Sequence, residues 1–134
     1  MKEVSAAIII EDGKVLLARR AKGEKLAGYW EFPGGKREDG ETIEQCLVRE
    51  IREELALHIK VLHEFGVSHY EYPGGEIQLI ALSCEIEGGT PTLSVHDALE
   101  WVEVRDLLQY QLAPADIPIA RQIQADEPTG RESE

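Results

Sequence analysis

The polypeptide holds two cysteines in 134 residues, Cys46 and Cys84, far apart and in no Cys-x-x-Cys pair. That spacing is no disulfide framework, and two buried, reduced thiols are expected. The four histidines (His58, His63, His69, His96) show neither HExxH nor zinc-finger spacing, so no zinc site is indicated. No apolar run approaches the roughly 18 residues that span a bilayer. The opening run Ala6–Ile10 is cut off by Glu11 and Asp12 and lacks the basic flank and cleavage site of a signal peptide. It reads as a strand in a protein that stays in the cytoplasm. Internal repeats and low-complexity tracts are absent. Positive charge is scarce as well: 14 Lys and Arg stand against 26 Asp and Glu, a formal net charge of −12. Such an excess argues against duplex nucleic acid or an anionic membrane as partner.

What remains suffices for one domain. Apolar residues make up 43%, a globular composition. A chain of this length buries a core without disulfides or a structural metal. A single domain over 1–125 is expected, with the polar, Pro- and Gly-containing stretch 126–134 as a disordered tail.

Val4–Glu11 and Lys14–Arg20 are β-rich and flank Asp12-Gly13, the strongest short-range hairpin signal. Residues 21–41 read as a long loop broken by the apolar piece Tyr29–Pro33, and loops of that length are usually functional. Thr42 followed by Gln45 is a capping-box pattern. Ile43, Leu47, Ile51 and Leu55 then recur every four residues, as a buried helix face does. Strands are expected at His63–Tyr72, Ile77–Glu87 and near Leu99–Val104. A helical turn follows at Arg105–Gln109 and a closing helix at Asp116–Ala125, with Asp116 at or near its N-cap. The order ββ-α-ββ-β-α predicts an α/β (α+β) fold with a mixed sheet and helices packed on it.

Charge is unevenly distributed. Seven of the 14 basic residues lie between Lys14 and Arg37, opposed there only by Glu24 and Glu31. Seven acidic groups then crowd Glu38–Glu54. Such a sequence suits a polyphosphate and its metal ions, although ordinary surface charge gives the same pattern. On the helix, Glu53, Glu50 and Glu54 fall near 280°, 340° and 20° relative to Ile43, at about 100° per residue. Three carboxylates therefore share one arc beside the apolar stripe, where like charges repel and desolvation adds to the cost. Arg49, four residues before Glu53, can pair with it, but one Arg cannot neutralise three carboxylates. Mg²⁺ is the natural remaining partner.

The run Gly35-x₅-Glu41-x₇-Arg49-Glu50-Ile51-x-Glu53-Glu54-x-Ala56-Leu57 resembles the Nudix box, Gly-x₅-Glu-x₇-Arg-Glu-U-x-Glu-Glu-x-Gly-U, with U a bulky aliphatic. Every fixed position matches except Ala56, where the family has Gly. A Gly just past a helix end supplies the left-handed conformation; Ala adopts it at a cost of roughly 1–2 kcal/mol. The resemblance implies a Nudix-type α/β/α sandwich. It also implies hydrolysis at a diphosphate link with Mg²⁺, or Mn²⁺ in its place. Glu50 and Glu54 would be the main metal ligands, Glu53 a further ligand or water-positioning base, and Glu41 an outer metal carboxylate. The Gly35 carbonyl would join the metal shell, and Arg49 would hold Glu53 by an ion pair.

Outside the box, Trp30-Glu31-Phe32-Pro33-Gly34-Gly35-Lys36 and Arg19-Arg20 are similar to the MutT subgroup, which hydrolyses nucleoside triphosphates. By that resemblance Arg20 and Lys36 contact phosphates, while Phe32 lies at the base. Leu112-Ala113-Pro114-Ala115-Asp116-Ile117-Pro118 resembles the base-recognition segment of the bacterial CTP pyrophosphohydrolase branch. Where Asp116 stands, MutT proper has an Asn that reads 8-oxoguanine. Ionised Asp only accepts hydrogen bonds, so a base presenting an amine, such as cytosine, is expected, with 8-oxo-dGTP as the alternative. MutT also carries an extra catalytic Glu before its last strand. Val95 occupies that place here, with His96, Asp97 and Glu100 nearby. Two other readings stay open: a Nudix enzyme acting on ADP-ribose or a similar conjugate, and a non-catalytic nucleotide-binding regulator. Monomer and homodimer are both compatible with the sequence.

Overall fold

The computed structural model describes residues 1–126. Strand β1 (Lys2–Glu11) and strand β2 (Lys14–Arg20) meet through Asp12 and Gly13, both at positive φ (53° and 77°). Those angles match the two-residue turn whose twist suits a hairpin. Only Ile10↔Val15 and Glu11↔Lys14 pair, and β1 then diverges from β2. Two short strands interrupt the segment expected to be a loop: β3 (Trp30–Glu31) pairs with β2, and β4 (Gly34–Lys36) pairs with β1 at Val4–Ala6. Helix α1 (Ile43–Leu55) follows, then β5 (His58–Tyr72), β6 (Gly75–Gly88) and β7 (His96–Glu103). Two 3₁₀ turns, Val104–Gln109 and Pro114–Asp116, lead into α2 (Ile117–Asp126).

These strands form one seven-stranded mixed sheet along the path β3-β2-β1-β6-β5. β1 runs parallel to β6 from Lys2↔Ile77 to Ile9↔Cys84, whereas β2–β7 and β5–β6 are antiparallel. Side-chain alternation explains why Ala6–Ile9 is apolar throughout. Ala6 and Ile8 face one core with Leu17, Phe32, Leu79 and Ile119. Ala7 and Ile9 face a second core with Leu47, Ile51, Leu55 and Leu57. One core lies under α2 and the other under α1, so the sheet is covered by helices on both faces.

The capping box is present in α1: the Thr42 hydroxyl accepts from Gln45 N at 3.0 Å, and the Gln45 side chain accepts from Thr42 N at 2.9 Å. Ala56 is left-handed (φ 58°, ψ 29°), and its N–H donates to the Arg52 carbonyl. Four strands begin earlier than the pattern predicts, β1 and β6 by two residues and β5 and β7 by more. β5 starts at His58, and its register shifts at Val61/His63 and Glu64/Gly66 break the two-residue period that would reveal that start in the sequence. β7 starts at His96 rather than Leu99. The closing helix begins at Ile117, so Asp116, the last residue of the preceding 3₁₀ turn, stands immediately before it as expected, while its side chain accepts from Phe32 N. Cys46 and Cys84 are buried and unbonded. Among the described residues no helix is long and apolar enough to cross a membrane. Of the expected tail, Asp126 closes α2, and 127–134 lie outside the described residues.

Candidate active site

A cleft of about 690 Å³ opens between α1, the β3–β4 segment, the β5–β6 turn and the 3₁₀ turn at Pro114–Asp116. Glycine geometry makes room for it. A Cβ at Gly34 would run into the Ser5 carbonyl, and one at Gly35 into the Glu50 carboxyl group. The Gly34-Gly35 pair therefore lets β4 lie against both β1 and α1.

Glu50 and Glu54, one helical turn apart, line the cleft. Glu50 accepts from Arg49 Nη1 at 3.1 Å, whereas the Glu54 Oε1 atom is buried without a hydrogen-bond partner. Burial pushes Glu54 up to about 8, with the adjacent Glu50 charge adding to the effect and Glu31 contributing less. An orphaned, desolvated carboxyl oxygen beside a second carboxylate is a group that a cation could satisfy. Among the described residues no three acidic, His or Cys groups converge on one point. Two carboxylates without a full cage suit Mg²⁺, which keeps several waters and bridges to substrate phosphates.

Arg49 ties the rest of the acidic cluster together. Its Nε and Nη2 bind the two Glu41 oxygens at 3.0 and 2.8 Å, and Nη1 reaches Glu53 at 3.2 Å as well as Glu50. The pairing expected with Glu53 is present, but the two-pronged contact goes to Glu41. That guanidinium holds Glu41 down to about 2, helped by the Glu38 N–H. Glu53 lies 55% exposed, outside the cleft lining. The Gly35 carbonyl already accepts from the Ser5 hydroxyl at 3.0 Å.

The cleft is also lined by Lys2, Arg20, Lys25 and Lys36. Arg20 is firmly held: Nε donates to the Lys25 carbonyl at 2.6 Å and Nη1 to Glu31 Oε2 at 3.1 Å, with Glu24 3.5 Å from Nη2. Asp116, which also lines the cleft, is 5% exposed and accepts from Phe32 N at 2.9 Å. Burial raises it well above the usual carboxyl range, and the Glu31 charge adds to that, against the Phe32 N–H and Arg20. Phe32 itself is a core residue, 2% exposed, that also reaches the cleft wall.

Sequence reasoning gave no role to Glu31 or Tyr72, and named His96 only as a neighbour of the missing extra Glu. Glu31 Oε2 accepts from Arg20 and lies 2.8 Å from His96 Nε2. Tyr72 accepts from Ala115 N at 3.1 Å and lines the cleft. A charged residue between the buried Trp30 and Phe32 was a usable signal for Glu31; the pairing of His96 with it, across 65 residues, had none. Near the missing extra Glu, Asp97 pairs with Arg19 at 2.7 Å and Glu100 accepts from Tyr110 at 2.7 Å. Both carboxylates therefore point to partners outside the cleft, and only His96 acts on a residue within it.

The NUDIX domain model matches residues 1–123. The chain is 48% identical over 120 residues to the CTP pyrophosphohydrolase of Escherichia coli K12, covering 89% of this chain and 88% of that protein. It is 34% identical over 122 residues to the 8-oxo-dGTP diphosphatase of the same organism, covering 89% and 95%. The solution structure of the E. coli ORF135 protein superposes with a TM-score of 0.81 at 44% identity, covering 93% of this chain and 89% of that one. A MutT structure from methicillin-resistant Staphylococcus aureus 252 gives 0.75 at 37%, covering 94% and 97%. With the cleft carboxylates on the box helix and matches of this extent, the chain belongs to the Nudix family and is a hydrolase.

Proposed function

We propose that the protein is a Mg²⁺-dependent nucleoside triphosphate pyrophosphohydrolase that releases a nucleoside monophosphate and pyrophosphate, with cytosine nucleotides as preferred substrates. The observation that carries this reading is the polarity of the cleft. Paired carboxylates, three lysines and a buried carboxyl group, Asp116, all line it. A divalent cation held by Glu50 and Glu54 would neutralise phosphate charge and acidify a water molecule. Lys36 and Lys2 bind the phosphates as point charges. Arg20 fixes the loop carrying Lys25. Arg49 keeps Glu41 ionised and Glu50 oriented.

At the base end, the Phe32 N–H secures Asp116 Oδ2 and leaves Oδ1 for substrate. An ionised Asp116 accepts from the cytosine amine and rejects uracil, because its buried acceptor is left unpaired. The likeness to a CTP pyrophosphohydrolase supports the same choice. One observation favours a second reading: burial raises Asp116, and a protonated carboxyl group would donate to the O6 of 8-oxoguanine. The test compares kcat/KM for CTP, dCTP, UTP, dGTP and 8-oxo-dGTP, then repeats the panel with Asp116→Asn. CTP and dCTP should lead, and UTP should fall far behind. A lead for 8-oxo-dGTP by orders of magnitude overturns the cytosine reading, and a ranking unmoved by Asp116→Asn removes Asp116 from base selection.

A further inference from the structure

A nucleotide lying from Asp116 to Glu50 and Glu54 must carry its sugar between them, and the Arg20–Glu31 pair lines the same cleft, with Glu31 next in sequence to Phe32, whose N–H holds Asp116. Glu31 adds to burial in raising Asp116 and contributes a smaller part at Glu54. Arg20 acts at the same two groups with opposite sign.

The Glu31 side chain, 15% exposed, is held through one oxygen only. Oε2 meets Arg20 Nη1 at 3.1 Å and His96 Nε2 at 2.8 Å. A carboxylate accepts, so His96 Nε2 is the donor. The His96 side chain is fully buried, and its Nδ1 has no partner; the ring has no other polar contact among the described residues and serves only to brace Glu31. Oε1 makes no hydrogen bond among the described residues, and it is not among the buried unpartnered atoms. A braced carboxylate with one free, accessible oxygen is a pre-organised acceptor for a neutral donor. Between a base and a polyphosphate, the donors on offer are the sugar hydroxyls.

We propose that Glu31 reads the sugar: Oε1 accepts a hydrogen bond from the 2′- or 3′-hydroxyl of the substrate, with His96 and Arg20 as positioning residues for the carboxylate. This rests on the triphosphate reading above and makes Glu31 the residue that sets ribose against deoxyribose preference.

The experiment measures kcat/KM for CTP, 2′-dCTP and 3′-dCTP, with the corresponding GTP series in parallel, on wild type, Glu31→Ala and Glu31→Gln. Losing a hydrogen bond to a charged group costs on the order of 10- to 100-fold. Wild type should therefore lose that factor when one hydroxyl is removed, and the identity of that hydroxyl names the contact. In Glu31→Ala the same ratio should collapse to within about threefold, and Glu31→Gln, a neutral acceptor, should fall between. A residue that merely supports the fold would slow all substrates together and leave the ratio intact. Should Glu31→Ala be too slow to assay, calorimetric Kd values for CMP and its 2′- and 3′-deoxy forms on metal-free protein give the same ratio. A wild-type ratio near unity, or one unmoved in Glu31→Ala, overturns the sugar assignment alone. No turnover of either triphosphate series by wild type overturns the triphosphate reading together with it.

Discussion

Arg49 and Glu41 form a two-pronged ion pair, Nε to Oε1 at 3.0 Å and Nη2 to Oε2 at 2.8 Å, that joins the middle of α1 to the loop before it. The same guanidinium contacts Glu50 at 3.1 Å and Glu53 at 3.2 Å. Arg49→Lys keeps the charge but loses the planar fork, which a point-charge ammonium cannot replace. The side chain is 19% exposed, between the surface and buried cases, so metal-free stability should drop by about 1–3 kcal/mol. Urea unfolding measures it; a change within experimental scatter would make the pair ornamental.

Glu54→Gln should cut kcat on the order of a hundredfold or more while raising metal-free stability. The substitution removes a carboxyl group that must take up a proton to be buried beside Glu50, and it deletes a cation ligand. Steady-state kinetics at saturating Mg²⁺ together with a thermal melt checks both halves. Near-wild-type kcat would remove Glu54 from the metal site.

The same group links stability to pH. Glu54 moves from its ordinary 4.5 to about 8 in the folded protein, chiefly by burial, so between those values the folded state binds more protons than the unfolded. Stability therefore falls as pH rises through that window. Asp116, raised mainly by burial, acts with the same sign. Glu41, held down to about 2 by Arg49, acts oppositely and at lower pH. The metal-free Tm should decline from pH 5 to 8, less steeply in Glu54→Gln, and saturating Mg²⁺ should recover part of the loss at pH 8. Equal slopes in the two proteins contradict the assignment.

Ala56 occupies the left-handed end of α1 at φ 58°, where Gly carries no Cβ penalty. Ala56→Gly should stabilise the protein by about 1 kcal/mol, reduced by the greater freedom of Gly in the unfolded chain. Chemical denaturation would report a loss instead if the Cβ makes a packing contact that outweighs the strain.

The parts of the fold and site that were readable in the sequence are those written in neighbouring residues. The Thr42–Gln45 box, the Leu47–Ile51–Leu55 stripe and the Asp12-Gly13 turn each lie within a few positions, and so does the placement of Glu50 and Glu54 on one helix face. Pairings made across the fold were not readable. Arg49 prefers Glu41 over the Glu53 one turn away because the loop before α1 folds back onto it. Asp116 meets Phe32 N because the 3₁₀ turn packs beside β3, where Trp30 and Leu112 form a bridge. His96 reaches Glu31 only because β7 and β3 both flank β2. The early start of β5 was hidden by bulges, which break the period that identifies a strand.

Product analysis of CTP hydrolysis discriminates most directly between a pyrophosphohydrolase and any other use of the cleft. With Mg²⁺, wild-type protein should convert CTP to CMP and pyrophosphate in equal amounts, and both products should vanish with EDTA and in Glu50→Gln. CDP and orthophosphate as products, or turnover that survives EDTA, would contradict it.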